Sequence, residues 1–187
     1  IDIVYVGVNF AASTYKPLGI SGAPYMLRDL DHWKAYRDSK LFADLVKGYD
    51  DKTRHKIVAL TYYGQRHVTA NKPIKSPDDM KGMRLRVPAA PLFLMFTKSV
   101  GATATPIAFS DVYNALKQGL VDGQENPLPT IMAKKFYEVQ SHIVLTGHIT
   151  ESMVTVIGSH LWNKLTPDER QIFADTLKET AAKATEA

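Results

Sequence analysis

The 187-residue chain has no cysteine, which excludes a disulfide framework, a thiol nucleophile and a zinc–thiolate site. It has no run approaching the roughly 20 apolar residues that cross a bilayer, so no membrane-spanning helix is expected. The phosphate-cradling Walker loop, the G-x-G-x-x-G turn and the G-x-S-x-G nucleophile elbow are all missing. Six histidines are present, at 32, 55, 67, 142, 148 and 160. None forms a close i, i+4 pair or an H-E-x-x-H frame, so no metal site is expected. There is no internal repeat and no low-complexity tract. Asp78 and Asp79 could imitate a catalytic carboxylate pair, but their place in a first helical turn explains them.

What is present is an ordinary globular composition, 45% hydrophobic and 22% charged, with a net charge of +4. The charge is unevenly placed. Gly64 to Val100 holds seven Lys/Arg against two Asp/Glu, a local +5, and the remaining 150 residues sum to −1. A basic centre suggests an anionic partner. Nucleic acid is not expected, because the basic residues lie singly among Pro, Gly and apolar residues and form no stripe with interleaved aromatics.

Strands alternate with helices along the chain, which argues for α/β layers on a largely parallel sheet. Ile1–Val8 reads as a strand buried on both faces, and Asn9 to Pro24 as loop. Asp29 to Val46 reads as one or two helices ended by Gly48. His55–Tyr63 reads as the second strand. Ser76-Pro77-Asp78-Asp79 opens a short helix that Gly82 stops. Met83–Val87 alternates as a strand, with Arg84 and Arg86 on the face opposite Met83, Leu85 and Val87. Pro91 opens a helix with a Leu92, Met95, Phe96 stripe, and Ser110 caps another. Ile143–Leu145 and Met153–Ile157 read as two further strands, and Thr166-Pro167-Asp168-Glu169 as a capping box for a helix reaching Ala184.

Arg86 stands out. It ends a strand just before Pro88, and open α/β sheets bind ligands outside the carboxyl ends of their strands. Its planar fork suits a carboxylate. Spacing alone favours a solvated surface arginine, and the same holds for Arg66 in the polar loop after Gly64. Gln124-Glu125-Asn126 before Pro127 puts polar side chains at a strand exit.

Four segments in order change that balance: Met80-Lys-Gly-Met-Arg-Leu-Arg-Val-Pro88, Pro106-Ile-Ala-Phe-Ser-Asp-Val-Tyr113, Val121-Asp-Gly-Gln-Glu-Asn-Pro127 and Lys135-Phe-Tyr-Glu-Val-Gln140. Together they resemble the DctP-type solute-binding proteins of tripartite ATP-independent periplasmic (TRAP) transporters, over nearly the whole chain. The resemblance implies a two-lobe α/β fold of the periplasmic binding protein kind (type II-like). Residues 1–63 would be part of lobe I, 64–151 lobe II and 152–187 a helix-rich return to lobe I, with crossings near Tyr63 and Glu151. The lobes would close over a small organic acid. Arg86 would pair with its carboxylate, Arg66 would be a second basic contact, Asn126 would hydrogen-bond it and Phe109 would pack on it.

The resemblance further implies a periplasmic monomer that hands its ligand to membrane permease subunits, without catalysis, metal or cofactor. Such proteins run to about 300 residues, so strand–helix units before Ile1 and a closing region after Ala187 are expected beyond this sequence. Ala89 and Ala90 stand where several relatives place polar ligand contacts, which leaves the far end of the ligand unassigned. Two rival readings remain. One is an α/β enzyme acting on a small carboxylic acid, with Glu125 as general base. The other is a ligand-sensing domain of the same fold.

Overall fold

A computed structural model describes residues 2–186. The chain divides into two units. One runs up to Tyr63 and resumes from Thr150; the other is Gly64–Ile149.

The first unit begins with β1 (Ile3–Gly7), paired antiparallel with β6 (His142–Ile157). The expectation of a strand buried on both faces fails here. β1 is an edge strand with one paired neighbour, and Ile3 and Tyr5 are 41% and 49% exposed. The segment read as loop instead carries a short helix α1 (Val8–Ala11) and a 3-10 segment Lys16–Gly22. Two helices follow, α2 (Leu30–Arg37) and α3 (Lys40–Thr53). Each starts on a side-chain cap: Asp29 accepts the His32 N–H at 2.7 Å, and Ser39 the Phe42 N–H at 3.1 Å.

Gly48 does not end α3. The helix runs on to Thr53 and stops at Arg54, whose φ is +65°. The glycine is there for space, since a Cβ at Gly48 would lie 2.2 Å from the Tyr15 hydroxyl oxygen. Trp33, Phe42, Leu45, Leu60, Val154 and Val156 form the core with Val8 and Leu18. Trp33 is fully buried, meets Tyr62 edge to face at 5.6 Å, and donates its Nε1–H to the Ser152 hydroxyl at 2.8 Å. The unit closes with α7 (Ser159–Trp162) and α8 (Pro167–Glu186). The Thr166–Glu169 box forms as the sequence suggests.

The second unit holds the rest of β2 (Lys56–Ala70), then β3 (Arg84–Val87), α4 (Pro91–Ser99), β4 (Thr103–Pro106), α5 (Val112–Lys117), β5 (Gly123–Pro127) and α6 (Leu128–Ala133). The strand order is β6-β2-β5-β3-β4 here and β1-β6-β2 in the first unit. The sheet is mixed rather than largely parallel. β3 runs parallel to β4 and β5, whereas β2 meets β5 antiparallel and β6 meets β1 antiparallel. β2 crosses the unit boundary as one strand, so a helical crossover is not needed there.

Three local expectations are corrected. α4 buries Phe93, Phe96 and Thr97, while Met95 is 52% exposed. Its inner stripe is therefore rotated one residue from that read off the sequence. Ser110 does not cap a helix: it lies in a 3-10 turn, Phe109–Asp111, and its hydroxyl donates to Asp111 at 3.2 Å. Ile143–Leu145 and Met153–Ile157 are the two ends of one 16-residue strand, β6. Polar residues between them hid its continuity. Thr150 and Ser152 are buried with partners, Thr150 donating to the Leu27 carbonyl.

Gly123 is required by close approach, because a Cβ there would lie 2.2 Å from the Thr69 carbonyl oxygen across the β2–β5 ladder. It lets β5 seat beside β2 in the register Thr69↔Gln124 and Val68↔Glu125, which sets the site below.

Replacing Trp33 by Ala should destabilise the first unit by about 3–5 kcal/mol, the usual cost of emptying a buried aromatic site. Trp33→Phe should cost less, roughly 1–3 kcal/mol, mainly by stranding the buried Ser152 hydroxyl. Urea unfolding followed by tryptophan and tyrosine fluorescence would rank the two, and equal costs would mean that volume alone matters at this position.

Candidate functional site

β5 lies between β2 and β3, and all five of its residues are buried, so each polar side chain in Gln124-Glu125-Asn126 must find a partner. Strand alternation sends Gln124 and Asn126 to one face and Glu125 to the other. On the first face, the Asn126 amide donates to the Gln124 side-chain carbonyl. Gln124 donates to Thr69 at 3.1 Å, and Thr69 donates to Gln140 at 3.0 Å. This chain of donors fixes the orientation of both amides.

On the second face Glu125 holds Arg66. The Arg66 Nε and Nη2 groups donate to the two carboxylate oxygens, and Nη2 also reaches the Glu125 carbonyl at 2.8 Å and Asn126 Oδ1 at 3.2 Å. Both side chains are at least 95% buried. The Arg66 guanidinium also lies over the Phe93 ring at 4.6 Å.

His148, on β6, completes the cluster. Its ring stacks on Phe96 at 3.7 Å between centroids, its Nε2 is 3.1 Å from Glu125 Oε2, and its Nδ1 is 2.8 Å from the Thr146 hydroxyl. An ionised carboxylate only accepts, so Nε2 carries the hydrogen and Thr146 donates to Nδ1. One neutral tautomer satisfies both ends.

Burial pushes the Glu125 carboxyl up, but Arg66 and His148 outweigh it and hold it below its ordinary value. Burial drives His148 down, against the pull of Glu125. The cluster is thus an ionised pair with a neutral imidazole behind it.

Arg86 differs from Arg66 in one decisive respect. It is the penultimate residue of β3, only 2% exposed, with Nε and Nη2 both donating to the Ile107 carbonyl at 3.0 and 2.7 Å. Its Nη1 is buried with no hydrogen-bond partner, and among the described residues Arg86 forms no ion pair. Burial pulls its pKa down to about 10, Glu125 opposing this and Arg66 adding to it. Its neighbour in sequence, Arg84, is by contrast a surface residue paired with Asp122 at 2.6 Å. The Phe109 ring centroid is 5.9 Å from the Arg86 guanidinium carbon, and the ring is 44% exposed.

The four residues singled out from the sequence therefore fall in one unit, in two linked groups. Arg66 and Asn126 share a hydrogen bond; Arg86 and Phe109 share a cation–ring contact. Sequence reading missed His148, Phe93 and Phe96 as members, and it did not pair Glu125 with Arg66. No spacing signal joins residues 59 positions apart; the β2–β5 register does. No group of three or more metal-ligating side chains occurs among the described residues.

Comparison with known proteins gives the family and the fold. The chain belongs to the DctP family, bacterial extracellular solute-binding protein family 7, which it matches over residues 1–187. It is 40% identical to the sialic acid-binding periplasmic protein SiaP of Vibrio cholerae over 153 residues, 80% of this chain and 46% of that protein. It is 30% identical to the 2,3-diketo-L-gulonate-binding periplasmic protein YiaO of Escherichia coli, over 96% of this chain and 55% of that one. A TRAP periplasmic solute-binding protein from Polaromonas, crystallised with D-erythronate, superposes with a TM-score of 0.90 at 33% identity, covering all of this chain and 60% of its own. The chain thus spans about half the length of the curated relatives it matches. The two-lobe fold of these solute-binding structures is the fold of this chain.

The buried cluster makes stability pH-dependent with a definite sign. Both Glu125 and His148 have folded pKa values below their ordinary ones, so the unfolded chain binds more protons and stability is lost as pH falls. The His148 contribution is lost first, as pH falls below its ordinary value of 6.5, and that of Glu125 below 4.5. Glu125→Gln should cost about 3–5 kcal/mol at neutral pH by leaving Arg66 buried without its counter-charge, and should flatten the acid limb. Thermal unfolding from pH 4 to 8 checks both, and an unchanged acid limb in the variant would remove Glu125 from the linkage.

Proposed function

We propose that this chain is the acid-recognising part of a periplasmic solute-binding protein, which captures a small organic acid and delivers it to the membrane permease of a TRAP transporter. The observation that carries this reading is the Arg86 guanidinium, buried beside a half-exposed aromatic ring with its Nη1 donors unused. A buried charged donor left without a partner is costly, and an end-on carboxylate bridging Nη1 and Nη2 would satisfy it. The Ile107 carbonyl holds the other edge of the guanidinium, so the fork is oriented before ligand arrives.

The other residues take subordinate roles. Asn126, with its carbonyl held by Arg66, offers its remaining amide hydrogen to the ligand. Phe109 covers an apolar face of it. Arg66 acts chiefly by holding Asn126, since Glu125 cancels most of its charge. The acids in the relatives' names and crystals, sialic acid, 2,3-diketo-L-gulonate and D-erythronate, support a carboxylate-bearing ligand rich in oxygen. The change of unit at Tyr63–Gly64 and Ile149–Thr150 supports lobes connected through β2 and β6. The enzymatic alternative loses its base: a general base near neutrality needs a raised carboxyl pKa, and that of Glu125 is lowered and committed to Arg66 and His148.

A thermal-shift screen of organic acids on the full-length protein would find the ligand, since a binder at 100 times its dissociation constant adds roughly 2.7 kcal/mol of stability. With that acid, Arg86→Lys should weaken binding by about 30-fold or more by calorimetry, because an ammonium cannot reproduce the fork. Affinity within threefold of wild type would remove Arg86 from the site.

A further inference from the structure

We propose that Lys134 is the capture cation of the acid site, drawing the anion from solvent across Phe109 toward Arg86; this rests on the reading of Arg86 as the carboxylate partner. Lys134 follows α6, the helix that leaves β5 directly after Asn126 and Pro127. Its ammonium lies 5.2 Å from the centroid of the same Phe109 ring that Arg86 approaches at 5.9 Å. Two cations of one site thus share one half-exposed aromatic side chain, Arg86 buried and Lys134 in water.

The surrounding charges leave Lys134 available. Among the described residues it enters no ion pair. Its neighbour Lys135 pairs with Glu138 at 3.8 Å, and Glu138 also accepts the Tyr113 hydroxyl at 2.8 Å, so the nearby acid is engaged. The ring contact holds the flexible lysine in place without covering its charge. A carboxylate arriving at Arg86 would also relieve the repulsion between the two cations. An exposed rim charge of this kind acts on association and its salt dependence, whereas a buried fork governs dissociation.

Stopped-flow intrinsic fluorescence of the full-length protein would separate these roles, using as probe whichever of N-acetylneuraminate, D-erythronate or D-glucuronate binds. In low salt, Lys134→Gln should slow association about threefold to tenfold and leave dissociation within twofold. The difference should close near 1 M salt, where screening acts over roughly 3 Å. Lys135→Gln should behave as wild type. Wild-type association by the Lys134 variant in low salt, an effect confined to dissociation, or an equal effect from Lys135→Gln would each overturn the proposal. If Arg86→Lys loses the probe while Lys134→Gln associates normally, only the capture role falls. If no probe binds, or Arg86→Lys binds like wild type, the carboxylate reading falls and takes this one with it.

Discussion

The second unit is organised around one buried ion pair, Arg66 with Glu125. Removing two charges from water is expensive, and the cost is offset only when geometry is good and every remaining donor and acceptor is used. Both conditions hold: the fork is bidentate, Phe93 lies under the guanidinium, and His148 and Asn126 take up further hydrogen bonds. That demand explains why β5 carries three consecutive polar residues in the middle of a sheet. It also explains why Gly123 precedes them, since the two strands could not otherwise approach.

Against that satisfied pair, Arg86 is conspicuous by contrast. Two arginines on the strands that flank β5 are both buried, yet one is neutralised by a carboxylate and the other only propped by a backbone carbonyl. Within the second unit the buried Arg66, Arg86 and Glu125 sum to one positive unit, carried at Arg86 with a donor to spare. In the proposed reading, that spare donor is what an anion of matching shape would take up. The fixed surroundings mean that little ordering is left to be done on binding.

Much of this architecture was legible in the residues. The alternation Met83-Arg-Leu-Arg-Val87, the capping signals at Ser76 and Thr166, and the four segments around Arg86, Phe109, Asn126 and Gln140 each carry their meaning locally. What could not be read was anything that depends on partners far apart in the chain. β6 looked like two strands because its buried polar middle breaks the apolar period, and those residues are tolerated only because Trp33, Leu27 and Glu125 meet them. β1 looked buried because its side chains are apolar, whereas its place at an edge leaves them half exposed.

By itself, then, the sequence determined the α/β class, the family and the identity of the basic and polar residues at the strand ends, because these follow from short-range pattern and side-chain chemistry. Only the tertiary structure decided which arginine is spoken for. That depends on the antiparallel register of β2 with β5 and on His148 arriving from β6, long-range pairings that set each group's electrostatic surroundings and that no local spacing encodes.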